Sequence, residues 1–290
     1  PNSIVVDHDD QIIVYGLTGS PTFPVTPGAF QPNFIGGPAF SGGGFFSAQQ
    51  LNGCDLYVTK FTSDGVLSAS TFIGGSQNDG QNSGDQLYYN YGDIFRGEVN
   101  IDEQNNVYVA TVTRSPDFPV SSGTFGGGDY DGVLFKLSPD LSQLMASRFL
   151  GGNANDACYV VEFNPSGQLI VAGGTQSANF PLITTAAHDL TWNGETDGFV
   201  AILDPSDMTL VAGTFVGTDE YDQVYFAQSD NSGDLYVYGQ TSGNMAITPG
   251  VYGQPGSGQF VTKFSSDLSG MLWNTTIGTG SGEIDISPTA

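Results

Sequence analysis

The chain of 290 residues is acidic, glycine-rich and rich in aromatic residues at the same time: it has 30 Asp and Glu against 6 Lys and Arg, 41 glycines and 20 phenylalanines. A hydrophobic fraction of 39% is too high for a disordered acidic tail, and the length is sufficient for a sizeable core. The formal charge of −24 argues against nucleic acid and anionic membranes as partners, because both bind through positive charge. The sequence contains no run of 18 apolar residues and so predicts no membrane-spanning helix.

Four copies of one pattern follow one another along the chain. Each copy has a strand-like segment, a polar turn, an apolar strand, a Phe-Pro segment that is degenerate in the fourth copy, another strand, a short turn and a last strand that ends in glycine. The apolar strands after the polar turn are residues 12–16, 107–110, 169–173 and 235–239. The strands after the Phe-Pro segment are residues 55–61, 131–137, 197–203 and 259–264. Such a period predicts a repeat architecture.

Within each copy the apolar residues alternate with a period of two and are mostly β-branched or aromatic, which predicts strands. Residues 140–150 and 182–193 are the longest segments compatible with a helix. We therefore predict an all-β fold, a β-propeller of four-stranded antiparallel blades, with approximate blades 1–96, 97–157, 158–223 and 224–290. In the second blade we expect strands near 98–101, 107–112, 132–137 and 144–149. Both a four-bladed ring and an arc of a larger propeller in a longer chain remain open.

The repeated motifs resemble a known family. They read D-x-x-G-x-hydrophobic-Y-V-x-G, then F-P-V-x-x-G-x-F, D-x-F-V-x-K-F-x-x-D-G and F-x-G-G-x-x-x-D, and this order resembles the SBBP-type bacterial β-propeller repeat. Residues 7–79, 97–156 and 158–222 fit well, and residues 224–283 fit more loosely. With its acidity and Gly- and aromatic-rich insertions, the chain looks like the propeller region of large exported surface proteins of gliding Bacteroidota. That resemblance implies export by type IX secretion and supplies no catalytic residues.

The most regular polar feature is one acidic residue in each glycine turn, namely Asp79, Asp156, Asp222 and Glu283. In a propeller this turn connects the last strand of one blade with the first strand of the next, so the four carboxylates are candidates for a ring at the mouth of a central channel. Such a ring suits Ca²⁺, the only cofactor that the sequence suggests. The alternative is that each carboxylate accepts backbone N–H groups at a tight turn, which would recur in every blade.

Other chemically interesting residues have structural interpretations. A second acidic column becomes an amide in the fourth copy, which favours hydrogen bonding over a charge requirement; its members are Asp55, Asp131, Asp197 and Gln259. His188 aligns with aromatic residues, which predicts a packing role, and His8 lies in a polar turn with no repeated catalytic residue. Cys54 and Cys158 flank apolar runs without a CxxC pattern, so we expect free, inert thiols.

Two insertions interrupt the first repeat and contain most of its additional aromatic residues. They cover residues 31–53 and 80–96, and we place the first between the second and third strands of a blade and the second between consecutive blades. Strand alternation puts both on one face of the predicted disc, opposite a face of short turns. We predict a recognition surface there. Its candidate ligand-binding residues are Phe40, Phe45, Phe46, Tyr88, Tyr89 and Tyr91. The alternative is that these rings pack on each other or on adjacent domains.

These observations favour a non-enzymatic binding, adhesion or structural module of a large secreted protein, located outside the cell or on its surface. The expected partners are a surface glycan or a protein, together with secretion or surface-anchoring machinery. A polysaccharide-acting hydrolase or lyase with acidic residues on the insertion face is the alternative, because the chain has many possible carboxylate pairs. The sequence lacks sialidase Asp-boxes and a repeated Ser/His/Asp or Cys/His set.

Overall fold

A computed structural model of the protein describes residues 1–41, 49–82, 87 and 94–279. Within these residues the chain forms strands and no α-helix, which confirms the all-β prediction. No described helix is therefore available to cross a membrane. Of the two segments compatible with a helix, residues 140–150 form the end of a turn and a strand, and residues 182–193 form a loop.

Each repeat contributes four long strands in chain order. The first repeat has β1 (Ser3–Val6), β2 (Ile12–Thr18), the short pair β3 (Phe40–Ser41) and β4 (Gln49–Gln50), β5 (Asp55–Phe61) and β6 (Leu67–Ile73). The second has β7 (Glu98–Ile101), β8 (Val107–Thr113), β9 (Asp131–Leu137) and β10 (Leu144–Leu150). The third has β11 (Asp156–Phe163), β12 (Leu169–Thr175), β13 (Asp197–Leu203) and β14 (Leu210–Val216). The fourth has β15 (Asp222–Ser229), β16 (Leu235–Thr241), β17 (Gln259–Phe264) and β18 (Met271–Ile277).

The long strands form four separate antiparallel sheets, each with its strands in sequence order. We call them the first to fourth sheets. The predicted strands of the second repeat are confirmed to within a residue at each end. The third and fourth sheets begin at Asp156 and Asp222, two residues before the approximate blade boundaries read from the sequence.

The core lies between consecutive sheets and not within a single one. One buried cluster joins the first and second sheets through residues such as Ile13, Val58 and Val109. A second cluster joins the second and third sheets, and a third cluster joins the third and fourth. The first strands also follow one another in space, since β1 contacts β7, β7 contacts β11, and β11 contacts β15. This face-to-face repetition fits a propeller-like fold.

A residue with left-handed backbone recurs in the turn between the third and fourth long strands of all four sheets. One residue in each turn has a positive φ: 84° for Gly65, 57° for Leu141, 61° for Met208 and 59° for Leu268. This left-handed conformation costs a side chain-bearing residue roughly 1–2 kcal/mol. Leu141, Met208 and Leu268 are fully buried, and each belongs to the cluster shared with the preceding sheet. Burial of these side chains offsets the backbone cost.

Candidate functional site

The repeated acidic residues of the glycine turns lie inside the protein. Asp79, Asp156 and Asp222 are fully buried. Asp79 and Asp156 each pair with a threonine at the end of the second strand of their sheet, and the carboxylates accept the hydroxyls of Thr113 and Thr175. The side chains thus belong to the sheet edge and do not project into open space.

Each of these carboxylates also accepts a backbone N–H group of its own turn. The nitrogen-to-oxygen distances are 2.9 Å for Gly75 and Asp79, 2.7 Å for Gly152 and Asp156, and 2.5 Å for Thr218 and Asp222. These bonds satisfy donors that the connection between two sheets would otherwise leave without a partner. The geometry therefore favours the turn-stabilising alternative over a ring of ligands.

The second acidic column holds the loop between the second and third strands of each sheet. Asp55 accepts the N–H groups of Ile35 and Gly36 at 2.7 and 2.8 Å. Its equivalents act in the same way, with distances of 2.6 Å from Gly126 nitrogen to Asp131 and 2.9 Å from Asn193 nitrogen to Asp197. The three aspartates lie opposite Thr18, Thr113 and Thr175 and have the predicted hydrogen-bonding role. The alignment of Gln259 with them was wrong by one residue, because Gln259 lies opposite Gln240 and accepts the hydroxyl of Tyr238, whereas Gly258 lies opposite Thr241.

Acidic residues of the two columns approach each other between consecutive sheets. A Cβ atom on Gly74 would lie 2.5 Å from Asp79 Oδ2 and 2.9 Å from Asp55 Oδ1, so both carboxyls border this glycine. Burial, together with the nearby charge of Asp55, raises the pKa of Asp79 to about 8. Burial likewise raises the pKa values of the equivalent acids, to about 8 for Asp131, about 7 for Asp156, about 7 for Asp197 and about 6 for Asp222. The neutral form is thus favoured in all five carboxyls below about pH 6, and near pH 7 chiefly in Asp79 and Asp131.

The predicted calcium ring has no support in this geometry. In the described part of the chain, no group of three or more His, Cys, Asp or Glu side chains is arranged to hold a metal ion. Asp79, Asp156 and Asp222 already bond to turn N–H groups and hydroxyls, and Glu283 lies outside the described residues. The channel-facing arrangement that Ca²⁺ binding would need is therefore not formed by the three described carboxylates.

The second insertion was predicted to connect two sheets, but it interrupts a strand of the second sheet instead. Asp79 bridges to Thr113, Gly80 nitrogen donates to Val112 oxygen, and Glu98 pairs with Ala110 further along the same neighbouring strand. The first strand of the second sheet thus begins at Asp79, leaves the sheet after Gly80 and resumes at β7. Because this strand faces the other first strands, the insertion starts and ends in the interior of the molecule.

Polar and apolar contacts anchor this insertion to the third and fourth sheets. Asn82 Nδ2 donates to Tyr159 OH at 3.0 Å, and Tyr159 OH donates to Leu87 oxygen at 2.8 Å. The Leu87 side chain is fully buried in the cluster between the third and fourth sheets. At the other end of the insertion, the Arg96 guanidinium donates to Tyr225 oxygen at 2.9 Å. Its carbon lies 5.9, 5.5 and 4.6 Å from the ring centroids of Tyr159, Tyr225 and Phe226.

The two insertions contact each other at one described pair of rings. The rings of Phe40 and Phe95 are 6.2 Å apart between centroids, and Phe40 is partly exposed. The other five candidate ligand-binding residues, Phe45, Phe46, Tyr88, Tyr89 and Tyr91, lie outside the described residues. The insertion surface therefore remains a prediction that now rests on one described contact.

A cleft of about 840 Å³ lies at the opposite ends of the strands, where only short turns were expected. The first three sheets line it, with Val6, Glu162 and Lys136 among the lining residues. Glu162 accepts a hydrogen bond of 2.9 Å from Asn100, and Lys136 pairs with Asp102 at 3.2 Å. The cleft was not predicted from the sequence, since its residues come from turns and strand ends of three repeats that are ordinary when each repeat is read alone.

Two glutamates lie close to one another near the cleft. Glu98 accepts the Val161 N–H at 2.9 Å, and burial together with the charge of Glu162 raises the pKa of Glu98 to about 7. Burial also raises the pKa of Glu162. A carboxyl pair with raised pKa values is a feature of acid–base sites and of structural networks alike.

The histidines and cysteines show no catalytic arrangement among the described residues. The His188 ring lies 5.8 Å from the Phe264 ring, its backbone N–H donates to Leu268 oxygen, and the residue is exposed. His8 donates its backbone N–H to Asn105 and is exposed. Cys54 and Cys158 are free and buried, as expected.

Comparison with known proteins adds no family assignment. No protein-family model matches the chain, and no curated protein matches it either. The resemblance to SBBP-type repeats thus rests on the motifs alone, and the functional conclusions rest on the residues.

Proposed function

We propose that this chain is a β-propeller-like, non-enzymatic binding module of a secreted or cell-surface protein, with its recognition surface on the two insertions. The observation that carries this proposal is the contact between Phe40 and Phe95, which brings together the two segments that depart from the repeat. Loops held on a rigid β scaffold are frequent recognition surfaces. The proposed ligand is a surface glycan or a protein partner.

The anchoring of the second insertion supports this function. Arg96 and Leu87 fasten it to sheets that are distant in the sequence, so less conformational entropy would be lost when the insertion binds a partner. Aromatic rings suit sugar faces and protein partners, because they bury a large area with few rotatable bonds. The high negative charge would keep an extracellular module soluble.

Binding to an array of bacterial and environmental polysaccharides tests this proposal. We expect saturable binding by the chain and at least a tenfold loss for Phe40→Ala and for the triple variant Tyr88→Ala, Tyr89→Ala, Tyr91→Ala. Tyr252→Ala is the matched control, because this exposed tyrosine lies in a fourth-sheet loop outside both insertions. Equal binding by all variants would overturn the assignment of the surface.

A polysaccharide hydrolase or lyase is the second candidate, and the electrostatic coupling of Glu98 to Glu162, which lines the cleft, is the observation that favours it. Glu98, with its pKa raised to about 7, has the property of a general acid, and Glu162 lines the cleft. Glu162 lies at the short-turn ends, whereas Glu98 is the first residue of β7 and closely follows the second insertion. Release of reducing ends from a glycan that disappears in both Glu98→Gln and Glu162→Gln would support the enzyme, and turnover that survives both changes would exclude this pair.

A further inference from the structure

Certain positions are exposed in the first sheet but buried in the second, third and fourth sheets, where the preceding sheet covers them. Ile4 pairs with Val14, and the equivalent residues Val99, Val161 and Ala227 pair with valines in the same register. These three are 4%, 0% and 3% exposed and belong to the clusters shared with the preceding sheet, whereas Ile4 is 66% exposed. Val14 is also partly exposed. We call the side of the first sheet that carries Ile4, Val14 and Phe61 the first open face.

The fourth sheet exposes the complementary positions. Phe226 pairs with Tyr238 as Val160 pairs with Ala172 in the third sheet. Val160 is 2% exposed in the cluster shared with the following sheet, whereas Phe226 is 50% exposed. Tyr236 and Val261 are partly exposed. The equivalents of Tyr236 are Tyr108 and Ile170, those of Val261 are Leu134 and Val200, and all four are fully buried. We call the side with Phe226, Tyr236 and Val261 the fourth open face.

Hydrogen bonds between established sheet pairs show how two such faces fit together. Phe30 N–H donates to Leu141 oxygen at 3.0 Å across the first and second sheets. His188 N–H donates to Leu268 oxygen at 2.8 Å across the third and fourth. The equivalent groups of the two open faces are the N–H of Tyr252, a residue that is 82% exposed, and the carbonyl of Gly65.

A side-chain bond to the following sheet also recurs. Lys60 Nζ donates to Pro139 oxygen and Tyr108 OH donates to Pro205 oxygen, both at 3.2 Å. Tyr236 occupies the position of Tyr108, and Ser63 occupies the position of both prolines. The fourth open face thus presents a donor that matches an acceptor on the turn of the first sheet.

We propose that the fourth open face of one copy of this chain docks on the first open face of a second copy, in the register of the three sheet interfaces within each copy. A second copy is the occupant because both faces are exposed in one molecule and so do not cover each other, and because each continues an interface that the chain builds three times. Repetition of this contact closes a ring or extends a filament, according to the rotation between copies.

The charge of the chain sets a condition on this association. Copies with a formal charge of −24 repel one another, so the contact should strengthen as salt screens the repulsion. Apolar burial supplies the attraction and is not weakened by screening. A purely ionic contact would show the opposite salt dependence.

Sedimentation equilibrium over a wide range of protein concentration tests the proposal. We expect a mass above that of the monomer that rises with concentration and with salt. Ile4→Asp on one face and Phe226→Asp on the other should each weaken association at least about tenfold. Leu190→Asp is the control, because Leu190 is 57% exposed but lies outside both faces. Circular dichroism establishes that all three variants remain folded.

A mixing experiment separates this contact from other modes of association. Ile4→Asp retains the fourth open face and Phe226→Asp retains the first, so an equimolar mixture should form a heterodimer although each variant alone is monomeric. A wild-type chain that is monomeric throughout would overturn the proposal. Association that neither face variant weakens, or a mixture that stays monomeric, would overturn it as well.

Discussion

Lys60 Nζ lies 2.7 Å from Asp7 Oδ2, and both side chains are almost fully buried at the end of the first sheet. The same pair recurs as Lys136 with Asp102 in the second sheet and Lys263 with Asp230 in the fourth. Half of the six cationic residues of this acidic chain are therefore used in one repeated ion pair. The third sheet has the uncharged residues Ile202 and Asn164 at these positions.

We expect Lys60→Met to destabilise the protein by about 2 kcal/mol, because it leaves the Asp7 carboxylate buried without its cation. Although burial alone would raise the pKa of Asp7, hydrogen bonds from Lys60, Gln11 and Asp9 hold it below its usual value. The double variant Lys60→Ile, Asp7→Asn copies the third sheet. Its loss of unfolding free energy should be smaller than the sum of the losses in Lys60→Ile and Asp7→Asn alone. Urea unfolding measures these losses, and strictly additive losses would contradict a coupled pair.

Stability should fall as the pH rises from about 4 to about 8. Burial raises the folded-state pKa of Asp79 and Asp131 to about 8 and that of Asp156 to about 7, above the value of 3.8 for an ordinary Asp. The folded state then binds more protons than the unfolded state, so the stabilisation is complete below pH 3.8 and is lost as the pH rises through these values. Thermal unfolding should show Tm lower by about 5 °C or more near pH 8 than near pH 4.5.

Asp156→Asn is the control for this pH dependence, because the amide is neutral at every pH. We expect this variant to be less stable than the wild type, since an amide has a single acceptor oxygen and cannot accept both the Thr175 hydroxyl at Oδ1 and the bonds from Gly152 and Ser177 at Oδ2. Its stability should nevertheless change less steeply with pH. A wild-type Tm that rises between pH 4.5 and pH 8 would show that these carboxyls are ionised in the fold.

Leu141→Gly tests whether burial outweighs backbone strain in the repeated turn. Glycine relieves roughly 1–2 kcal/mol of strain at a φ of 57°, but the change removes a fully buried leucine, which costs about 2–5 kcal/mol. We expect a net loss of about 1–3 kcal/mol in chemical unfolding.

Gly65→Leu is the matched comparison for this turn. Gly65 has the same left-handed backbone, but no atom lies within 4 Å of the place that a Cβ would take. Leucine there would gain strain without burial and should cost about 1 kcal/mol. A stabilised Leu141→Gly variant would mean that strain, not burial, dominates the turn.

The two thiols should not react in the native protein. Burial raises the pKa of Cys158 to about 12 and raises that of Cys54, so the reactive thiolate is scarce at neutral pH. We expect a chromogenic disulfide reagent to modify neither cysteine near pH 8 and both cysteines after unfolding in urea. Rapid reaction of either thiol in the native state would show that its sheet interface opens.

Patterns among residues close together in the sequence were enough to predict the strands of this protein and the role of several repeated residues. The apolar run after the polar turn at residues 102–106 predicted a strand over residues 107–112, one residue shorter than the observed Val107–Thr113, because strand propensity and side-chain direction depend on residues close in the sequence. The aligned repeats also predicted that Asp131 and Asp197 serve hydrogen bonding, which they do, but they placed Gln259 in the same column although the pairing across the sheet puts it one position later. A feature that recurs in all four copies of the pattern is one that each sheet requires.

Features that depend on contacts between distant residues came only from the tertiary structure. The second insertion reads as a link between two sheets, but the bridge of Asp79 to Thr113 places it inside a strand, and Arg96 reaches Tyr225, 129 positions further along the chain. The open faces likewise became visible only when Ile4 and Phe226 were compared with their buried equivalents. The physical reason is that local pattern determines which side of a strand is apolar, whereas burial depends on whether another sheet covers that side.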